Sequence, residues 1–115
     1  MGQGTRDRRT PATDRVRVIR QGEIYDHITT DGRYRVLVVS GDAHNKTHTP
    51  WVVPIRHGSL DAPPYRIALV DADPLGGSVD IERLTRTWPC GEPVGIVTGA
   101  TMQRVREAIQ ALFDG

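Results

Sequence analysis

The sequence is poor in cysteine, in aromatic residues and in long apolar runs. Cys90 is the only cysteine among 115 residues, which excludes an intramolecular disulfide and a cysteine-built zinc site. A chain that needs no disulfide suits a reducing compartment, and we expect it in the cytoplasm. No apolar run approaches the roughly 20 residues of a membrane-spanning helix, so we expect no membrane association. With 37% hydrophobic and 25% charged residues, the composition is that of one folded domain.

Lysine is also nearly absent, because fourteen of the fifteen basic residues are arginine and Lys46 is the exception. An arginine fork binds phosphate and carboxylate better than an ammonium group does. A GC-rich genome that favours arginine codons produces the same bias. The arginine excess is therefore compatible with a phosphate-binding function but does not require one.

The charge is unevenly distributed along the chain. Residues 1–20 hold six arginines against two aspartates, a local net charge of +4, whereas residues 21–115 sum to −3. The first stretch has no apolar periodicity. We therefore predict a flexible basic arm over residues 1–15 and a folded domain over 16–115.

Motifs of nucleotide-dependent enzymes and zinc hydrolases are absent, including G-x-x-x-x-G-K, G-x-G-x-x-G, H-E-x-x-H and G-x-S-x-G. Asp71 and Asp73 have the spacing of cation ligands, but they adjoin the turn-forming residues 74–77, where aspartates are common. Three histidines lie in loop-like stretches typical of solvated side chains, namely His44, His48 and His57. We predict no metal ion and no cofactor.

Most of the chain has the pattern of a β protein. Short apolar segments rich in β-branched residues, bounded by glycine, proline or aspartate, predict strands. They lie around residues 16–18 and 24–25 on either side of a Gln21-Gly22 turn, and at 34–40, 51–55, 65–70, 78–81, 84–88 and 94–97. Only the end predicts a helix, capped by Thr98, with apolar residues at Met102, Val105, Ile109 and Leu112. The expected fold is a strongly bent sheet or partly open barrel closed by that helix.

Five segments resemble, in order, the MazF/PemK family of toxins. They are G-E-I-Y at 22–25, V-L-V-V-S-G-D-A-H-N at 36–45, V-V-P-I at 52–55, R-T at 86–87 and the helix start at 98–105. The resemblance spans about residues 20–113 and implies a mainly β (α+β) fold, a small SH3-like barrel of the CcdB/MazF type with a C-terminal α-helix. It also implies a two-fold homodimer and a cognate antitoxin of a type II toxin–antitoxin system. The resemblance further implies the activity of most family members, which is metal-independent cleavage of single-stranded RNA. In that reaction the neighbouring 2′-hydroxyl attacks the phosphate.

The catalytic positions of the family are occupied differently in this sequence. Family members carry an arginine just before the second strand and a threonine at the end of the third, where this chain has Tyr34 and Arg56. If the second and third strands contribute to one pocket, the hydroxyl and the guanidinium are both still present there. The hydroxyl now comes from the second strand, on Tyr34, and the guanidinium from the third, on Arg56. Arg56 would hold the phosphate, while Tyr34 or His57 would move protons. We therefore predict Arg56, Tyr34, His57 and Arg35 as catalytic residues, the alternative being an inactive site of ordinary surface residues.

Substrate binding is predicted for Arg33, Trp51 and Arg86. Trp51 begins a strand, where an exposed indole can stack on a base, although partial burial is the commoner outcome. We expect Tyr25 and Trp88 in the core, because a chain with six aromatic residues has few to spare.

A second resemblance concerns the R-Y-R segment at 33–35, the short loop before it and the chain end at 111–115. These resemble CcdB, a toxin that shares the fold, poisons gyrase and has no nuclease activity. Phe113 matches the large apolar residue of that toxin's helix end. Three functions stay open: an endoribonuclease toxin, a non-enzymatic toxin that binds DNA gyrase, and a catalytically degenerate dimer kept for interaction.

Overall fold

The computed structural model describes residues 18–114, which form a curled antiparallel sheet and one long helix. The strands are β1 (Glu23–Thr29), β2 (Gly32–Val38), β3 (Trp51–Arg56), β4 (Arg66–Ala68), β5 (Ser78–Asp80), β6 (Thr85–Arg86) and β7 (Gly95–Ile96). The helices are α1 (Asp42–Thr47), α2 (Gly99–Asp114) and a 3-10 turn (Ile81–Arg83). The arm predicted at 1–15 lies outside the described residues. Of the strand predicted at 16–18 only Val18 is described, and it is not in a strand.

The sheet bends because one edge of β3 is divided between two strands. Strand order is β4-β5-β3-β2-β1-β7, and β6 also pairs with β3. The start of β3 pairs with β6, Trp51 opposite Arg86, and its end pairs with β5, Ile55 opposite Val79. Its other edge pairs with β2 from Val38 to Arg35. The charged end of β3 is thereby held between two neighbouring strands.

Alternating side chains build a core on each face of the sheet. Ile24, Leu37 and Val53 lie side by side on β1, β2 and β3 and belong to the main core, which α2 closes with Met102 and Val105. The opposite face carries a smaller cluster formed by Ile19, Tyr25, Val36, Val38 and Val52. Because the second half of β2 is buried on both faces, it reads as a continuous apolar run.

A buried carboxylate fastens the start of α2. Asp73 accepts hydrogen bonds from the Val70 and Thr98 amides, each at 2.9 Å, and from the Thr101 hydroxyl at 2.7 Å. Burial by itself raises the pKa of Asp73, but these hydrogen bonds outweigh it and hold the pKa below its ordinary value. The predicted cap is present, since the Thr101 amide donates to Thr98 Oγ1 at 3.1 Å. Asp73 thus has a structural role in the turn.

Two parts of the sequence reading were wrong. Residues 42–47 form the short helix α1, in a stretch read as loop, because Asn45 is buried and its amide donates to the Ile19 and Ser40 carbonyls. The bond to Ile19 joins residues 26 positions apart, so it leaves no local pattern. Trp88 was expected in the core but is 55% exposed, whereas Tyr25 is fully buried as expected.

Among residues 18–114, no helix is both long and apolar enough to cross a membrane.

Candidate active site

A cavity of about 450 Å³ opens where β2 begins and β3 ends. Those two strand ends are adjacent because the strands run antiparallel. Five of the predicted site residues line it, namely Arg33, Tyr34, Arg35, Arg56 and His57. The remaining wall comes from Asp26, Ile55, Leu75 and Gly76. Residues separated by more than twenty positions in the sequence therefore meet around one opening.

The strand register explains why Tyr34 and Arg56 are neighbours. Arg35 pairs with Ile55 and Val36 with Pro54, so the next position in the same register sets Tyr34 opposite Arg56. Both side chains also line a second cavity, on the face that carries Val36 and Pro54. Tyr34 and Arg56 therefore stand between two cavities, while Arg33 and Arg35 line only the first.

The three arginines of the first cavity differ in their carboxylate partners. Arg35 pairs with Asp26 at 3.1 Å, and Arg56 Nε donates to Asp80 Oδ2 at 3.2 Å. Within residues 18–114, no ion pair engages Arg33. Arg33 is therefore the least neutralised cation of the group, and the cavity has an excess of positive charge suited to an anion.

The ion pair of Arg56 orients its guanidinium. The Asp80 side chain is only 13% exposed, whereas that of Arg56 is 42% exposed. Because Nε is the atom engaged, the two terminal Nη groups remain to bind a ligand. A fork with its Nε held in place presents those two donors in a defined plane.

Tyr34 is held by a neighbour that the sequence reading missed. His27 pairs with Tyr34 across the β1–β2 hairpin, and the two rings meet edge to face with centroids 5.3 Å apart. The Asp31-Gly32 turn signal together with strand alternation could have indicated this pair. Asp26 and Asp80 were also missed, because their relevance depends on which strands lie beside them.

Gly77 lets the chain pass close to the backbone of Arg56. Its φ is +122°, and a Cβ there would lie 2.5 Å from the Arg56 carbonyl oxygen. The following residue, Ser78, is the strand partner of Arg56. A side chain at position 77 would push β5 away from β3 and displace the arginine.

Two predicted substrate-binding residues lie away from this cavity. Trp51 and Arg86 pair across β3 and β6, and the guanidinium of Arg86 lies 5.5 Å from the Trp51 ring centroid. Trp51 is 37% exposed. Trp51 and Arg56 are five positions apart on β3, roughly 17 Å at about 3.3 Å per residue. The predicted set is therefore divided between the two ends of β3.

The three histidines of the loop-like stretches do not form one cluster. His44 and His48 stack in and after α1, with centroids 5.1 Å apart, while His57 lines the cavity. Among the described residues, no group of three or more histidine, cysteine or acidic side chains is arranged to hold a metal ion. The polar side chains that line the cavity offer guanidinium, phenol and imidazole groups, together with the Asp26 carboxylate that pairs with Arg35.

No protein-family model and no curated protein matches this chain. Solved structures do match it. An endoribonuclease in complex with its cognate antitoxin, from a mycobacterial species, has a TM-score of 0.75 and 24% identity, covering 84% of this chain and 95% of that one. A MazE–MazF complex from Deinococcus radiodurans has a TM-score of 0.69 and 22% identity over 84% and 96%. A mycobacterial endoribonuclease has a TM-score of 0.68 and 24% identity over 86% and 94%.

These similarities establish the fold. The chain has the MazF-type architecture, a mainly β half-barrel with a C-terminal helix, and the fold class predicted from the sequence is confirmed.

Proposed function

We propose that this protein is the toxin of a type II toxin–antitoxin module and that it cleaves single-stranded RNA without a metal ion. The shared fold with MazF endoribonucleases supports the toxin assignment. The ribonuclease activity rests on one observation of this chain: three arginines, a tyrosine and a histidine surround one cavity.

The arginines supply charge stabilisation. Attack of a 2′-hydroxyl on the adjacent phosphate produces a phosphorane with additional negative charge on its oxygens. Arg56 would bind those oxygens through its Nη groups, since Asp80 occupies Nε. Arg33 would bind the same or the following phosphate, because its guanidinium has no ion-pair partner in the described chain.

Proton transfer falls to the other two groups, because an arginine stays protonated. His57 would accept the proton of the attacking 2′-hydroxyl, and the Tyr34 hydroxyl would donate one to the departing 5′ oxygen. The bond from the 2′ oxygen to phosphorus forms as the bond to the 5′ oxygen breaks. The products would be a 2′,3′-cyclic phosphate and a 5′-hydroxyl end.

The experiment is cleavage of a mixed single-stranded RNA by the purified full chain with a metal chelator present, followed by mapping of the ends. We expect cuts at defined short sequences with 5′-hydroxyl ends. Arg106→Ala, an arginine on the exposed side of α2, serves as the matched control for Arg56→Ala. Uncut RNA with folded wild-type protein would refute the ribonuclease proposal.

The partners proposed are a cognate antitoxin and a second copy of the chain. The similar structures include toxins bound to their antitoxins. Large apolar side chains are exposed at Ile28, 70%, and Ile96, 56%, where a partner would cover them. Sedimentation should return twice 12.7 kDa, and a stable monomer would contradict the dimer.

A second candidate function is non-enzymatic binding of DNA gyrase, as in CcdB. It is favoured by Phe113, which is 72% exposed at the end of α2. Inhibition of gyrase supercoiling by the wild-type protein, lost in Phe113→Ala, would support this alternative. Supercoiling unaffected by excess toxin would exclude it.

A further inference from the structure

A second cavity, of about 500 Å³, adjoins the proposed cleavage site and shares Tyr34 and Arg56 with it. Its floor is apolar and buried, formed by Val36, Val52 and Pro54. Its polar rim is formed by His27, Asp31, Glu82, Arg83, Thr85 and Thr87. A flat ring with a polar edge would bury its faces against the floor and present its edge to the rim.

The rim is rich in hydrogen-bond acceptors that the described chain leaves unused. Neither the Glu82 nor the Asp31 carboxylate has a hydrogen bond or ion pair to another side chain within residues 18–114. Both residues are exposed, so water covers their oxygens in the free protein. A ligand that supplies paired N–H donors would replace that water with charge-assisted bonds.

We propose that this cavity binds a guanine base of the RNA, next to the phosphate held by Arg56, and that Glu82 reads its edge. The location beside the phosphate rests on the proposed ribonuclease function. Guanine carries the N1–H and N2–H donors side by side, which matches the two oxygens of a carboxylate. Thr85 and Thr87, which also line the cavity, can donate to the O6 and N7 acceptors or accept from the amino group.

The other bases match this rim less well. Uracil places its single N–H between two carbonyl oxygens, which a carboxylate repels. Adenine and cytosine place a ring nitrogen acceptor beside their amino group, so only one donor faces Glu82. Hypoxanthine keeps N1–H but lacks the 2-amino group, which makes inosine the closest comparison with guanosine.

The test is binding, which is independent of cleavage. The 3′-monophosphates of guanosine, inosine and uridine are titrated into the isotope-labelled full chain, and backbone amide shifts give both affinity and location. We expect the guanosine nucleotide to bind about 10-fold more tightly than the inosine nucleotide, with shifts at Glu82, Thr85 and Thr87. Glu82→Gln keeps the size, removes the charge and should abolish that preference.

Glu107→Gln is the matched control, because Glu107 is an exposed glutamate on α2 outside this cavity. Equal affinities for guanosine and inosine nucleotides, shifts confined to other surfaces, or an undiminished preference in Glu82→Gln would each overturn the proposal. Guanosine preference in a protein that leaves RNA uncut would sustain the base site and refute the nuclease. RNA cleavage without any base preference would sustain the nuclease and refute the base site.

Discussion

The two halves of β2 differ in burial, although they belong to one strand. Val36 and Leu37, in the second half, are buried on opposite faces of the sheet, whereas Arg33 and Arg35, in the first half, are exposed and line the first cavity. The end of β3 repeats this contrast, as Val53 is buried and Arg56 is partly exposed.

This difference separates stability from chemistry along the same strands. The buried half is fixed by the core and by its neighbours, so it holds the charged half in position while contributing no charged group of its own. The charged half contributes little burial, so its residues can change while the fold is kept. The sequence resemblance sets Tyr34 and Arg56 at positions where MazF/PemK toxins have other residues, which is consistent with that freedom.

The largest expected effect is on stability, from Leu37→Ala in the buried half of β2. Leu37 is fully buried in the main core, and truncating such a leucine lowers the free energy of unfolding by about 3 kcal/mol. Arg35→Ala, two residues earlier on the same face, should cost less than about 1 kcal/mol, since its ion pair with Asp26 is exposed. Chemical denaturation measures the free energy of unfolding of both variants. Equal losses would show that the two halves of β2 contribute equally to stability.

The next effect is on activity, from Arg56→Ala in the charged half. Loss of the main cation should lower kcat/KM by roughly 100-fold or more, the scale for one preorganised charge-stabilising donor. We expect the free energy of unfolding to fall by about 1–2 kcal/mol, because the variant leaves the 13% exposed Asp80 carboxylate without its ion-pair partner. A folded Arg56→Ala variant that cleaves as fast as the wild type would remove Arg56 from the mechanism.

The buried half was the part most readable from sequence. The V-L-V-V run predicted a strand because β-branched residues bounded by a turn rarely form a short buried helix, and β2 is Gly32–Val38. Thr98 and the apolar steps after it predicted α2 for the same local reason. Strand ends were less accurate, as Thr85–Arg86 is much shorter than the predicted 84–88.

The site was readable only in part. The sequence places Arg33, Tyr34 and Arg35 beside a recognisable strand and Arg56 at the end of another, and all four line the first cavity. Their catalytic and binding roles stay predictions. Trp51 was grouped with them on residue type, although β3 carries it to the opposite end. The partners that orient the site depend on strand order and register, which are set by long-range pairing and leave no signal in a local window.

A smaller loss of stability is expected when the buried Asp73 carboxylate, which fastens the start of α2, is replaced by an amide. Asp73→Asn keeps the size of the side chain but replaces acceptor sites with an amide donor that faces the donors of Val70, Thr98 and Thr101. We expect a loss of about 1–2 kcal/mol near neutral pH. Asp71→Asn, at an exposed position in the same turn, should lose less than about 0.5 kcal/mol.

The same variant predicts a pH dependence. Because the pKa of Asp73 is lower in the folded state, its ionised form stabilises the protein at pH values above the ordinary carboxyl range of about 4. That contribution is lost as the pH falls through the lowered pKa. The difference between wild type and Asp73→Asn should therefore shrink in acid, and a constant difference down to about pH 2 would contradict the assignment.

The smallest expected effect concerns Asp80, the carboxylate that pairs with Arg56 at the charged end of β3. Asp80→Ala frees the guanidinium, and we expect kcat to fall about 10-fold with KM little changed, since the proposed phosphate contact of Arg33 would be kept. Asp80→Asn keeps an oxygen acceptor for Arg56 Nε and should recover most of that loss. If Asp80 acts only through Arg56, the double variant Arg56→Ala/Asp80→Ala will be no slower than Arg56→Ala alone. Additive losses would mean that Asp80 contributes by another route, and that the charged end depends on more than the orientation of one arginine.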